Sequence, residues 1–124
     1  MNQPFRVVIT DFITGPPAPE QQILGELAEV AVLNATSEAE LTGQVENADA
    51  IILYHCLPIT RYTLARLRQC KVLVRAGVGI DNVDHAFART LGIPVVNIPD
   101  YGSEDVADSA IGMMLSLTRG ISLL

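Results

Sequence analysis

The stretch Val72-Leu73-Val74-Arg75-Ala76-Gly77-Val78-Gly79-Ile80-Asp81-Asn82-Val83-Asp84 decides the fold. It opens as an apolar run, ends that run on a charge, turns on glycines and continues into a helix-starting pattern. An apolar run without polar alternation suits a strand buried on both faces, as in a parallel sheet. A glycine turn into a helix is the usual exit from such a strand. Four other runs repeat the pattern, at residues 5–10, 29–33, 50–54 and 94–97. Strand starts recur about every 20–24 residues, the spacing of successive βα units. Helix candidates lie between them at 20–27, 38–45, 61–68 and 83–91, and a longer one runs from about 104 to 119. The breaker-rich segment 14–19 reads as a surface loop. The expected architecture is α/β: a flavodoxin-like, doubly wound parallel sheet built of five βα units.

Local chemistry marks the boundaries. Ser37 stands three residues before Glu40, the spacing of a capping box. Thr60 is placed to cap the third helix. Gly92 suits the left-handed position just past a helix end. Ser103 precedes Glu104, Asp105 and Asp108, so acid sits at the positive end of the long helix. That helix carries Val106, Ala110, Met113, Met114 and Leu117 on one stripe, and Val106 reads most simply as core.

Composition excludes several classes. The 124 residues make one domain. Half of the chain (49%) is apolar and only 18% is charged, which is not the profile of disorder. The net charge of −6 argues against a generic nucleic-acid or anionic-membrane binder. No apolar run is long enough for a transmembrane helix. The N-terminal residues lack the basic start and apolar core of a signal peptide. Cys56 and Cys70 lack metal or redox spacing and read as free thiols of a cytoplasmic protein. Two histidines and two scattered cysteines make no metal-ligand cluster. The mean hydropathy of +0.33 is high for a soluble domain. Either the sheet is covered on both faces, or part of the apolar surface belongs against something else.

Open α/β sheets bind ligands beyond the carboxyl ends of their strands. The polar residues at those ends are Asp11, His55, Arg75 with its glycine loop, and Asn97 leading to Asp100 and Tyr101. The Gly77-Val78-Gly79 loop begins like a dinucleotide motif. Asn82 replaces the third glycine, however, and no acid ends the next strand. Its backbone N–H groups can still approach an anion, while a plain tight turn explains the glycines equally well. Arg75 either pairs with Asp81 or Asp84 or grips a carboxylate. His55 is either a satisfied structural histidine or a site residue. No nucleophile–base pair is legible.

From Val74 to Asp84, in Gly92-Ile93-Pro94-Val95-Val96-Asn97-Ile98-Pro99 and in Val106-Ala107-Asp108, the chain resembles the D-isomer-specific 2-hydroxyacid dehydrogenases. Tyr54-His55, Arg75 and the run Asp100 to Ser109 resemble the C-terminal-binding-protein branch. The resemblance implies a substrate-binding domain that faces a separate NAD-binding domain across the active site. It implies that Val78 and Gly79 hold the substrate carboxylate, that Arg75 and His55 line the substrate pocket, and that Val106 approaches the cofactor. It places the family's catalytic Arg, Glu and His downstream, leaving no catalytic residue in this chain. Residues 1–103 are then the N-terminal part of an incomplete substrate-binding domain, and 104–124 a helix leading toward the NAD-binding domain. The parent is expected to act on small 2-keto and D-2-hydroxy acids with NAD and to form a homodimer. The chain alone is expected to bind no NAD and to be inactive. The same branch includes corepressors that dock short peptides, so a protein-binding module is the rival reading. A small flavodoxin-like protein with an unrelated ligand is a third.

Overall fold

The computed structural model describes residues 3–121. Five strands form one parallel sheet: β1 (Phe5–Ile9), β2 (Ala28–Val32), β3 (Ala50–Leu53), β4 (Val72–Arg75) and β5 (Val95–Asn97). Their order is β2-β1-β3-β4-β5, the flavodoxin-like order anticipated from the alternating pattern. The winding direction reverses after β2, so right-handed crossovers put the first connection and the later ones on opposite faces.

The core gathers on the middle of the sheet. Val8, Ile51, Leu53 and Leu73 are fully buried, and Leu41, Val45, Ile59, Leu64 and Ala88 pack with them from the connections. The expectation of strands buried on both faces holds for Val7, Val8 and Ile9 of β1, while β3 and β4 bury Ile51, Leu53 and Leu73 and leave the alternate residues half-buried. β2 is mostly half-buried and β5 mostly exposed, because each edge strand lacks one neighbour.

The connections are shorter than the sequence suggests. Helix α1 (Ala18–Leu24) begins inside the breaker-rich segment, since proline is tolerated in a first helical turn, and it ends in a 3₁₀ turn at Gly25–Leu27. The helix expected at 38–45 is a single 3₁₀ turn, Glu38–Leu41. Chain extension at Thr42 (ψ 127°) and the left-handed Gly43 (φ 85°) stop it. Its expected capping box is diverted as well. The Glu40 carboxylate accepts from the Thr36 N–H (3.1 Å), the Thr36 hydroxyl (2.9 Å) and the Ser37 hydroxyl (2.9 Å). These bonds hold its pKa below the ordinary value, the Thr36 N–H contributing most.

Helix α2 spans only Arg61–Leu64, but its cap is the expected one: Thr60 Oγ1 accepts from the Tyr62 N–H. Helix α3 (His85–Thr90) is capped by Asp84 and left through Gly92 at φ 74°. Helix α4 (Ser103–Arg119) has Glu104 and Asp105 in its first turn, Arg119 in its last and the left-handed Gly120 at its end. None of its residues is buried, so the core role read for Val106 is wrong: it is 69% exposed. Nothing among the described residues covers the stripe, because α4 leaves the sheet from the edge strand. No helix of the described residues is long and apolar enough to cross a membrane, and both cysteines are free.

Candidate functional site

Register builds the site. Leu53 pairs with Arg75 and Arg75 with Asn97, so β3, β4 and β5 reach their carboxyl ends in one row. Beside them the Thr10 N–H donates to Ile52 O and leads β1 to Asp11, at the β1/β3 point where the winding reverses. That reversal is where this topology opens a crevice.

Asp11 is buried, and each of its carboxylate oxygens accepts one backbone N–H. The Tyr54 N–H donates to Oδ1 at 2.9 Å and the His55 N–H to Oδ2 at 2.5 Å. Such charge-assisted bonds make the burial of a carboxylate tolerable. The His55 carbonyl accepts from Asn82 Nδ2 at 3.1 Å, and the same carboxamide donates to Leu57 O at 2.9 Å. The His55 peptide segment is thus braced from both sides. Its ring Nε2 lies 2.9 Å from Phe12 O, and the two rings stack with centroids 6.2 Å apart. A carbonyl can only accept, so Nε2 donates this bond, and Nδ1 has no partner among the described residues. An apolar hollow of about 470 Å³ opens between Phe12, Ala35, His55 and Leu57.

The glycine loop is locked by its carbonyls. Ile98 N–H donates to Gly77 O at 3.0 Å, and Asn97 Nδ2 donates to Val78 O at 2.7 Å. No peptide bond among the described residues is cis. In a trans peptide the N–H points opposite the carbonyl, so the N–H groups of Val78 and Gly79 face away from the β5 segment. Neither finds an acceptor among the described residues. These two adjacent amides stand unpaired among the described residues on an exposed turn, with an Asp81 carboxylate oxygen 3.5 Å from where a Cβ on Gly79 would lie.

Neither expected structural pairing of Arg75 is present among the described residues. Asp84 is engaged elsewhere: it accepts from the Phe87 N–H and from Arg61 Nε, each at 3.0 Å. The Phe87 bond first and the Arg61 guanidinium second hold its carboxyl below the ordinary value. Asp81 makes no ion pair with Arg75 either. Arg75 therefore has no carboxylate partner among the described residues, and its Nε is buried without an acceptor. An unpaired cation stands directly before two unpaired amides.

The structure thus brings His55, Arg75, Val78 and Gly79 to one sheet edge, with Asn82 joining the histidine segment to the loop. Val106 stands apart on α4. Asp11, Asn82 and Asn97 do the bracing. The sequence signal for them was only a polar residue at a strand end and a non-glycine in a glycine motif.

A model of the D-isomer specific 2-hydroxyacid dehydrogenase family, catalytic domain, matches residues 7–120. The chain belongs to this family. Within it, the chain is 38% identical over 100 residues to D-3-phosphoglycerate dehydrogenase of Methanocaldococcus jannaschii, covering 81% of this chain and 19% of that protein. It is 40% identical over 101 residues to C-terminal-binding protein 1 of Caenorhabditis elegans, covering 81% of this chain and 14% of that protein. It superimposes on NAD⁺-bound 3-phosphoglycerate dehydrogenase of Entamoeba histolytica with a TM-score of 0.75 and 25% identity, covering 92% of this chain and 39% of that one. The chain spans a fifth or less of the curated relatives it matches. The fold is the one anticipated from the alternating strand and helix pattern, and the family is the one that the resemblance of residues 74–84, 92–99 and 106–108 named.

The carboxamide of Asn82, where a third glycine would stand, is committed to His55 and Leu57. Asn97 ends β5 in place of an acid and is committed to Val78.

Proposed function

We propose that this chain is the N-terminal part of the substrate-binding domain of an NAD-dependent oxidoreductase that interconverts 2-keto acids and D-2-hydroxy acids. Its task is to hold the substrate carboxylate. The observation that carries this is the pair of unpaired, co-directed N–H groups of Val78 and Gly79, fixed by Asn97 and Ile98. Donors fixed before the substrate arrives cost no reorganisation when it binds. Arg75 adds a positive charge, and His55 lines the adjoining wall. The chain as a whole is acidic, so recognition of an anion rests on these local groups. NAD, which supplies the hydride chemistry, is held by a second domain. Residues 1–103 then form the substrate-binding part and 104–124 lead toward that domain, with Val106 facing the cofactor; residues 122–124 lie outside the described structure. The parent is cytoplasmic and homodimeric in this reading.

The test is the full-length gene product with NADH and a panel of 2-keto acids, followed by nicotinamide absorbance. Turnover by the parent and none by the 124-residue chain is expected; turnover by the chain alone refutes the assignment of catalysis to a second domain. Arg75→Ala in the parent is expected to weaken keto-acid binding by about 1.5–3 kcal/mol, the scale of a charge-assisted hydrogen bond. An unchanged KM removes Arg75 from the site.

One finding favours a second reading. Identity to C-terminal-binding protein 1 (40%) equals that to D-3-phosphoglycerate dehydrogenase (38%) within two points. A module docking short peptides would bind such peptides in isolation, with its stability indifferent to 2-keto acids.

A further inference from the structure

Gly77 has no conformational reason to be glycine. Gly15, Gly25, Gly43, Gly92 and Gly120 all have positive φ, whereas Gly77 does not. Its reason is space. A Cβ built on Gly77 would lie 2.7 Å from Cζ and 3.1 Å from Nη2 of Arg75, well inside contact distance. The three atoms nearest to that Cβ all belong to the Arg75 guanidinium. Gly77 itself is buried, although the next two residues, Val78 and Gly79, are exposed. The loop backbone is fixed independently: the Gly77 N–H donates to Arg75 O at 2.8 Å, and Gly77 O accepts from Ile98. No carboxylate competes for the guanidinium among the described residues.

We infer that Gly77 is a positioning residue for Arg75. Its missing side chain lets the guanidinium fold back onto the loop that carries the Val78 and Gly79 amides, so cation and amides address one carboxylate together. The inference rests on the proposed substrate role of Arg75. A methyl group at position 77 would meet the far end of a flexible side chain, not backbone. The guanidinium would move and the fold would stay. A turn glycine behaves oppositely: replacing Gly92, at φ 74°, strains the backbone and leaves the site alone.

The experiment compares Gly77→Ala, Arg75→Ala, the double variant and Gly92→Ala in the full-length gene product. Pyruvate, glyoxylate and hydroxypyruvate serve as substrates. Gly77→Ala is expected to raise KM about tenfold, to change kcat less, to keep the wild-type Tm and to add nothing in the Arg75→Ala background. Gly92→Ala is expected to lower Tm without moving KM. Phenylglyoxal labelling mapped by mass spectrometry gives a readout free of activity: Arg75 should react faster in Gly77→Ala than in wild type. Additive KM effects, an unchanged KM, or unchanged labelling overturns the positioning role. A wild-type protein that turns over no 2-keto acid overturns the dehydrogenase reading and the positioning role with it. Labelling then decides the packing of Arg75 on Gly77 by itself.

Discussion

Strand β3 and helix α4 are both rich in large apolar residues, yet Ile51 and Leu53 are fully buried while Leu117 is 82% exposed. The difference lies in their neighbours. β3 has a strand on each side and connections above and below. α4 follows an edge strand and meets no covering layer among the described residues. Its helical state rests on local terms: acids at the positive end, Arg119 and a left-handed glycine at the other. Most helical stability in proteins comes from packing of an apolar face, which α4 lacks among the described residues. Mean hydropathy counts both segments alike, so the value of +0.33 joins a finished core to an unfinished surface.

The sharpest way to break this contrast is truncation of one residue on each side. Ile51→Ala should cost about 2–5 kcal/mol, since it leaves a cavity in the middle of the sheet. Leu117→Ala should stay within about 0.5 kcal/mol in the 124-residue chain. Equilibrium urea unfolding measures both. A large effect at Leu117 would mean that α4 packs on the domain in solution.

The contrast also explains what the sequence could tell. Inner strands were legible because they are unbroken apolar runs between turn signals, and Val72–Arg75 falls where its residues placed it. Helix lengths were not legible. The turn at Glu38–Leu41 is decided by Gly43 and by Glu38, whose carboxylate reaches across to the Thr60 N–H (2.7 Å) and hydroxyl. Arg75, His55, Val78 and Gly79 stood out through resemblance and strand-end position. Their braces did not, because each joins residues far apart in the chain: 43 positions from Asp11 to Tyr54, 27 from Asn82 to His55, 19 from Asn97 to Val78. Such partners emerge only once the strand order is known. The space that Gly77 leaves for Arg75 is equally invisible, since a glycine in a turn already has a sufficient local explanation.

Asn82 extends the comparison into the loops. The site edge is held by polar braces where the core is held by packing, so removing a brace should cost less than Ile51→Ala. Asn82→Ala leaves the carbonyls of His55 and Leu57 without their donor, worth about 1–3 kcal/mol. Asn82→Asp should cost at least as much, because a carboxylate oxygen would face two carbonyl oxygens. Urea midpoints order the variants; an Asp variant as stable as wild type would show that the carboxamide donates nothing there.

A smaller effect than either brace concerns α1, which like α4 has no buried residue but is tied to the sheet. The Tyr54 hydroxyl donates to the Glu20 carboxylate in a short hydrogen bond. Burial first, then that bond and the charges of Glu20 and Asp11, push the phenol up to about 12 from its ordinary value of 10.0. The fold thus favours the protonated phenol. Its contribution is complete below pH 10, where the unfolded phenol is also protonated, and is lost as pH rises toward about 12. Tyr54→Phe removes the tether at every pH. At neutral pH the cost should be about 0.5 kcal/mol, low in the range for one hydrogen bond because solvent screens the pair. The gap in urea midpoint between wild type and Tyr54→Phe should then close between pH 10 and 12. Other alkaline titrations occur in both proteins and cancel in the difference. A gap constant across that range would show that the phenol is not held protonated by Glu20. α1 would then be held to the sheet by its packing beside β2 and its chain connections.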